Sequence, residues 1–296
     1  MGGTRAAIRS GPRPRYRLAA LVIGLCLCTV LTLASAWAGE PIRIGLTPVF
    51  LDDQVSLLQR WRGYLEEHLG RPVRFVQRTT YSEINDLLAR GRVDAAWICG
   101  APYLRQRDVV DLLAVPVFHG EPRYRSYLIV PADDNRTQGW TDLRGKVFAY
   151  SDPDSNSGSL YPKTVMRQKG LDPDRLFRTS FFAWGHRNVV EAVASGLAGA
   201  GAVDGYVWET LRRFEPGLTA QTRVVERSRE FGFPPLVIRE GVAESTRDAL
   251  RRVLIRMGDE ERGRALLDAL NLDGFTRGSP QLYQGIGDMI RAEGPQ

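Results

Sequence analysis

The chain has 296 residues, 43% of them apolar or aromatic and 25% charged, which is ample for a buried core and excludes a disordered tail, a collagen-like repeat and a small disulfide scaffold. The formal charge of +6 is concentrated at the start: residues 1–38 carry Arg5, Arg9, Arg13, Arg15 and Arg17 and no acid, and the remainder balances 35 basic against 34 acidic side chains. The charge therefore gives no argument for a nucleic-acid partner.

Residues 1–38 read as a secretory signal. Arginines precede an apolar run over 18–34, and Ala36-Trp37-Ala38 offers small residues at both positions a signal peptidase requires. Cleavage after Ala38 starts a mature chain at Gly39, expected in the periplasm; an uncleaved membrane anchor is the competing reading, since the run is just long enough to span. Cys26 and Cys28 follow leucines inside the run, which is not a lipobox, and no paired arginines mark a twin-arginine signal. With the leader gone only Cys99 remains, expected to be buried and inert beside Ala95-Ala96-Trp97-Ile98. His68, His119 and His186 are the only histidines and form no metal-ligand spacing, so neither a metal nor a cofactor is expected.

Beyond the leader, short β-branched runs alternate with amphipathic helical stretches, the pattern of an α/β fold. A strand over 41–46 places Ile42, Ile44 and Leu46 on one face. Val55, Leu58, Trp61, Leu65 and Leu69 recur at helical spacing up to Gly70 and Pro72. A strand over 73–77, a helix over 82–90 capped by Ser82, and an apolar strand over 93–98 complete a βαβαβ start. Residues 125–130 and 224–225 are the expected crossover strands. Between them lies a second α/β unit, with strands over 146–150 and 198–203 and helices over 157–169 and 188–195. A strand over 235–238 and helices over 245–257 and 260–270 return to the first unit. The expected organisation is one lobe over 39–128 and 226–296, and a second over 129–225. Two connections between lobes permit hinge closure over a central cleft.

The stretch richest in chemistry is Asp152-Pro153-Asp154-Ser155-Asn156-Ser157-Gly158-Ser159-Leu160. It follows a strand and opens a helix, where unpaired backbone N–H groups and the positive end of the helix dipole suit a tetrahedral oxyanion. The hydroxyls of Ser155 and Ser157 are donors, Gly158 allows close backbone approach, and Pro162 belongs in the first turn. A plain capped helix, with Ser155 or Ser157 at the cap, is the competing reading.

Further residues fall in order around this stretch: Gly91-Arg92-Val93-Asp94-Ala95-Ala96 and Tyr103 upstream, Asp142-Leu143-Arg144-Gly145-Lys146 before it, and Gly185-His186, Gly196 and Val203-Asp204 after it. In this arrangement the chain resembles the phosphonate-type substrate-binding proteins of ABC transporters, from about Ile42 to Ile290. The resemblance implies a two-lobed type II periplasmic binding protein that captures phosphonate, phosphite or phosphate, is not an enzyme, and works with a transporter permease. The family's anion loop falls on Ser155, Asn156, Ser157 and Gly158, its histidine on His186, its cleft aspartate on Asp204 and its first-lobe tyrosine on Tyr103; the turn from Thr47 to Phe50 is expected to line the cleft. Two positions depart from the family. Asn156 replaces a threonine but can still donate. Arg187 stands where an acid helps hold an aminoalkyl ammonium, which argues against such a ligand.

An ionised Asp204 repels a fully deprotonated oxyanion and favours a ligand with a P–OH proton or a cation. His186 is expected to donate to the anion. A Ser157/His186/Asp204 hydrolase triad lacks the G-x-S-x-G elbow. Gly196-Leu197-Ala198-Gly199-Ala200-Gly201 leaves a helix and enters a strand, the wrong order for a dinucleotide loop. Trp184, Tyr206 and Trp208 either close over an organic substituent or are ordinary packing. A module serving a membrane signalling receptor, and a binder of another small anion such as a sulfonate, remain as alternatives.

Overall fold

A computed structural model describes residues 1–3, 40–48 and 55–294; the expected leader beyond residue 3, and Val49 and Phe50 of the expected cleft turn, lie outside the described residues. Among those described, no helix is long and apolar enough to cross a membrane.

The strands are β1 (Ile42–Leu46), β2 (Val73–Gln77), β3 (Ala95–Trp97), β4 (Val110–Val117), β5 (Arg123–Tyr124), β6 (Ser126–Pro131), β7 (Val147–Tyr150), β8 (Thr179–Phe182), β9 (Ala200–Asp204), β10 (Thr222–Arg227), β11 (Phe231–Gly232), β12 (Leu236–Arg239) and β13 (Gly274–Thr276). They form a six-stranded sheet, β13-β4-β12-β3-β1-β2, a five-stranded sheet, β10-β6-β9-β7-β8, and the two-stranded ribbon β11-β5. In the first sheet β1 runs parallel to β2 and β3, and in the second β7 runs parallel to β8 and β9. Strands buried on both faces need continuous apolar runs, which is why β6 (SYLIVP) and β9 (AGAVD) show little polar alternation.

The chain leaves the first sheet after β4, passes through β5 into β6, and returns from β10 through β11 into β12. The two crossing segments pair with each other, Tyr124 opposite Phe231 and Arg123 opposite Gly232. The expected crossover runs lie in β6 and β10, which continue from this ribbon into the second sheet and pair there antiparallel.

Local chemistry explains the main shifts from the sequence expectations. The helix Tyr81–Ala89 is capped by Thr80, not Ser82: Thr80 Oγ1 accepts from Glu83 N and Glu83 Oε2 accepts from Thr80 N (3.1 Å), a capping box. Gly45 lets this helix sit close to β1, since a Cβ there would lie 3.0 Å from Ile84 Cγ2. The helix expected over 157–169 begins instead as a π-turn, Asn156–Leu160, with Leu160 N donating to Ser155 O (3.0 Å), and becomes α-helical over Tyr161–Gln168. Pro162 has no N–H for the Gly158 carbonyl, which accepts from Ser151 N instead (3.2 Å). The helices Gly100–Arg105, Gly205–Phe214 and Gln284–Glu293 and the strands β4, β8 and β13 have no counterpart in the sequence reading.

The helix Val55–Leu69 buries Leu57, Leu58, Trp61, Tyr64 and Leu65, while Val55 at its start is exposed. Trp61 is fully buried and packs on Phe75 (5.1 Å between centroids) and Trp97 (6.1 Å), joining helix to sheet. Trp61→Ala leaves a large cavity and should lower the free energy of unfolding by about 3–5 kcal/mol, read as a fall in the denaturant midpoint.

Candidate functional site

The site forms at the carboxyl ends of parallel strands, where an open α/β sheet leaves room for a ligand. Thr47 follows β1, Cys99 lies just beyond β3, Ser151 follows β7 and Asp204 ends β9. The turn Ser155–Gly158 fills the space between them. Ser155 is its cap, Oγ accepting from Gly158 N (3.0 Å). Gly158 admits no side chain: a Cβ would lie 1.8 Å from Ser151 Oγ and 3.1 Å from His186 Cε1. Ser126 Oγ donates to Ser157 O (2.6 Å), tying the turn to β6. Asn156 is anchored twice, its N donating to Cys99 Sγ (3.2 Å) and its Nδ2 to the Tyr124 hydroxyl (2.9 Å).

Three buried polar atoms on these residues, Ser151 Oγ, Ser157 Oγ and Asn156 Oδ1, have no hydrogen-bond partner among the described residues. Such an arrangement is costly unless another group completes it. Ser157 lies close enough to the Tyr124 phenol to favour its ionised form, although burial dominates and holds that phenol well above its usual range.

His186 opens the helix His186–Ala194, after a turn in which Trp184 takes a left-handed φ of 59°. Asp204 N donates to His186 Nδ1 (3.0 Å), so the ring proton sits on Nε2, which faces Ser155 Oγ at 3.4 Å. Burial pushes the His186 pKa down to about 3, leaving a neutral donor. Asp204 Oδ1 accepts from Tyr206 N (2.9 Å) and caps the helix Gly205–Phe214. Burial pushes its carboxyl up to about 8, against the opposing pull of the Tyr206 and Val207 amides. A carboxyl raised this far is largely protonated near neutral pH, whereas the sequence reading took it as ionised. Cys99 is raised by burial to about 11 and stays a thiol.

The remaining sequence candidates divide. Thr47 is buried, its Oγ1 donating to Trp97 O (3.1 Å); the next residue, Pro48, faces Gly185, where a Cβ would lie 3.6 Å from the Pro48 carbonyl. Tyr103 is not brought to the turn. It stacks edge-on against Tyr283 (4.9 Å) and lines a separate cavity of about 480 Å³ with Arg107, Asp111, Arg251 and Arg277. The tyrosine facing the turn is Tyr124, from β5, because Tyr103 sits a full turn inside the helix Gly100–Arg105, whose first residue packs on Ile286 and Tyr283. Arg187 faces away, bonding Glu191 (2.9 Å) and both oxygens of Glu215, which raises its pKa further. Tyr206 and Trp208 are committed to Leu270 O (2.5 Å) and Thr222 Oγ1 (3.0 Å), whereas Trp184 is exposed. Sequence reasoning missed Ser151, Tyr124, Ser126 and Cys99; Ser151 alone carried a signal, as the residue ending a parallel strand just before the turn.

Residues 44–283 match the family described as ABC transporter, phosphonate, periplasmic substrate-binding protein. A phosphate-import protein of Mycolicibacterium smegmatis is 32% identical over 159 residues, 50% of this chain and 50% of that protein. The chain thus spans about half the length of that relative. A phosphonates-binding periplasmic protein of Escherichia coli is 26% identical over 241 residues, 77% of this chain and 70% of its own length. Among solved structures, a Prochlorococcus marinus protein in complex with methylphosphonate superposes with a TM-score of 0.78 at 18% identity, covering 86% of this chain and 98% of that one. The fold is that of the type II periplasmic binding proteins.

The two shifted groups give opposite pH limbs. His186 is depressed, so its contribution to stability is complete above its free value of 6.5 and is lost as pH falls towards about 3. Asp204 is raised, so its contribution is complete below its free value of 3.8 and is lost as pH rises towards about 8. Asp204→Asn keeps a cap and cannot ionise. Between pH 4 and pH 9 the difference in melting temperature should move several degrees in favour of the variant, at roughly 2–4 °C per kcal/mol. A difference that does not move with pH contradicts the buried-carboxyl assignment.

Proposed function

We infer the ligand and the role from one premise: the chain belongs to the periplasmic substrate-binding proteins of ABC phosphonate transporters. In this reading it captures a small phosphorus oxyanion, phosphate or a short phosphonate, and presents it to a transporter permease without making or breaking a bond. The elements of the six-stranded sheet form one lobe and those of the five-stranded sheet the other. They close about the β5–β11 ribbon.

The observation that carries this reading is the pair of buried serine hydroxyls, Ser151 and Ser157, unpartnered among the described residues and set on a turn with no room for a side chain at Gly158. Around them stand neutral donors: His186 Nε2–H, the protonated Asp204 carboxyl and the Tyr124 hydroxyl. Neutral dipoles held rigidly in a buried site stabilise an anion without a paired cation. The carboxyl lets one proton be shared between protein and ligand, serving a dianion by donating or a P–OH by accepting.

Relatives' names point to phosphate in one case and phosphonates in another, and the site favours neither. A small head group suits it best, because Tyr206 and Trp208 are tied into packing and Arg187 is spent on Glu191 and Glu215. Micromolar capture requires about −8 kcal/mol, within reach of several hydrogen bonds to a charged ligand.

The test is a thermal-shift titration with phosphate, phosphite, methylphosphonate, 2-aminoethylphosphonate, sulfate and taurine. A phosphorus anion at 100 times its dissociation constant should stabilise by about 2.7 kcal/mol. Ser157→Ala should weaken binding about tenfold without unfolding the chain, and Gly158→Ala should abolish it. No response to any phosphorus anion, or an unchanged titration for Ser157→Ala, overturns the reading.

A further inference from the structure

The loop leading into the anion turn is tied to the first sheet's helices by two adjacent carboxylates. Asp152 Oδ2 accepts from Tyr81 N (3.2 Å), at the N-terminus of the helix Tyr81–Ala89, where a negative charge is favoured. Asp154 Oδ2 accepts from Asn85 Nδ2 (3.2 Å) on the same helix, and Asp154 Oδ1 pairs with Arg105 Nη1 (2.8 Å) on the helix Gly100–Arg105. The carboxylates are themselves linked, Asp154 N donating to Asp152 Oδ1 (2.8 Å). Ser155 N donates to Asp152 O (3.0 Å), so this pair and the cap of the anion turn move as one body.

The cluster joins elements of the two sheets. The sheets are connected through β4, β5 and β6 on one crossing and β10, β11 and β12 on the other. The helix Tyr81–Ala89 lies between β2 and β3, beyond β12 in the first sheet, and the loop follows β7, two strands from β6 in the second. The helix Gly205–Phe214, which also bonds the C-terminal segment through Tyr206 and Arg213, starts beside the ribbon, Gly205 N donating to Arg125 O (2.8 Å).

We propose that Asp152 and Asp154, with Tyr81 N, Asn85 and Arg105, form a latch that holds the two lobes closed over the ligand, and that Asn85 and Arg105 are positioning residues for capture which touch no ligand themselves. The proposal rests on the capture reading of the same turn. The latch slows ligand release, because release requires these contacts to break. The Arg105–Asp154 pair is partly exposed, 38% and 25%, so the latch weakens with salt.

The experiment compares the parent with Arg105→Ala, Asn85→Ala and Arg105→Lys, after confirming similar melting temperatures. Solution scattering without ligand should give a larger radius of gyration for both alanine variants and a near-parental value for Arg105→Lys. With phosphate and methylphosphonate as probes, the alanine variants should bind about three- to tenfold more weakly, through faster dissociation at an association rate that does not fall. Unchanged scattering overturns the latch whatever the titrations give, as does a loss of affinity arising in the association rate. A parent that binds neither anion overturns the capture reading instead, and scattering still decides whether the contacts hold the lobes together.

Discussion

The α-carbon of Gly158 lies so close to the Ser151 side chain that no side chain fits between them, and the anion turn depends on that contact. A Cβ on Gly158 would lie 1.8 Å from Ser151 Oγ, so the backbone of the turn lies directly against the strand end. Pro162 makes the approach possible. It cannot supply an amide to the Gly158 carbonyl, which bonds Ser151 N, and the first turn widens to π geometry. Widening turns Asn156 towards Cys99 and Tyr124 and leaves Ser157 with a buried, unpartnered hydroxyl. One proline and one glycine thereby convert an ordinary helix start into a rigid arrangement of donors.

Electrostatics then follows from burial. The donors around the turn are neutral, since burial holds His186 deprotonated at about 3 and Asp204 protonated up to about 8. The same low dielectric that penalises these charges strengthens each hydrogen bond to an anion brought among them. His186 is fixed in orientation by the backbone of Asp204, so the two residues behave as one unit: the strand end that places the carboxyl also sets the imidazole tautomer.

The topology connects this chemistry to motion. Tyr124 belongs to the ribbon that joins the sheets and also holds Asn156, so ribbon and turn share a hydrogen bond. Asp152 and Asp154 bond the helices Tyr81–Ala89 and Gly100–Arg105, which belong with the first sheet. The turn is thus tied both to the ribbon that joins the sheets and to helices of the first sheet.

The sequence by itself determined the alternation of strands and helices and the interrupted order of the two sheets. Ile42, Ile44 and Leu46, and the spacing that buries Leu58, Trp61 and Leu65, are local patterns fixed by the periods of strand and helix. The turn Ser155–Gly158 stood out in the sequence as a strand end followed by a helix start, a local signal, whereas His186 and Asp204 were singled out through the family resemblance. Only the tertiary structure decided that Tyr124, not Tyr103, faces the turn. A side chain's direction depends on which helix packs against it, and Tyr103 is claimed by Tyr283, 180 residues along the chain. It also decided that Asp204 carries a proton and that Arg187 does not face the site. Both follow from burial and from partners brought together by folding, and no spacing along the chain encodes them.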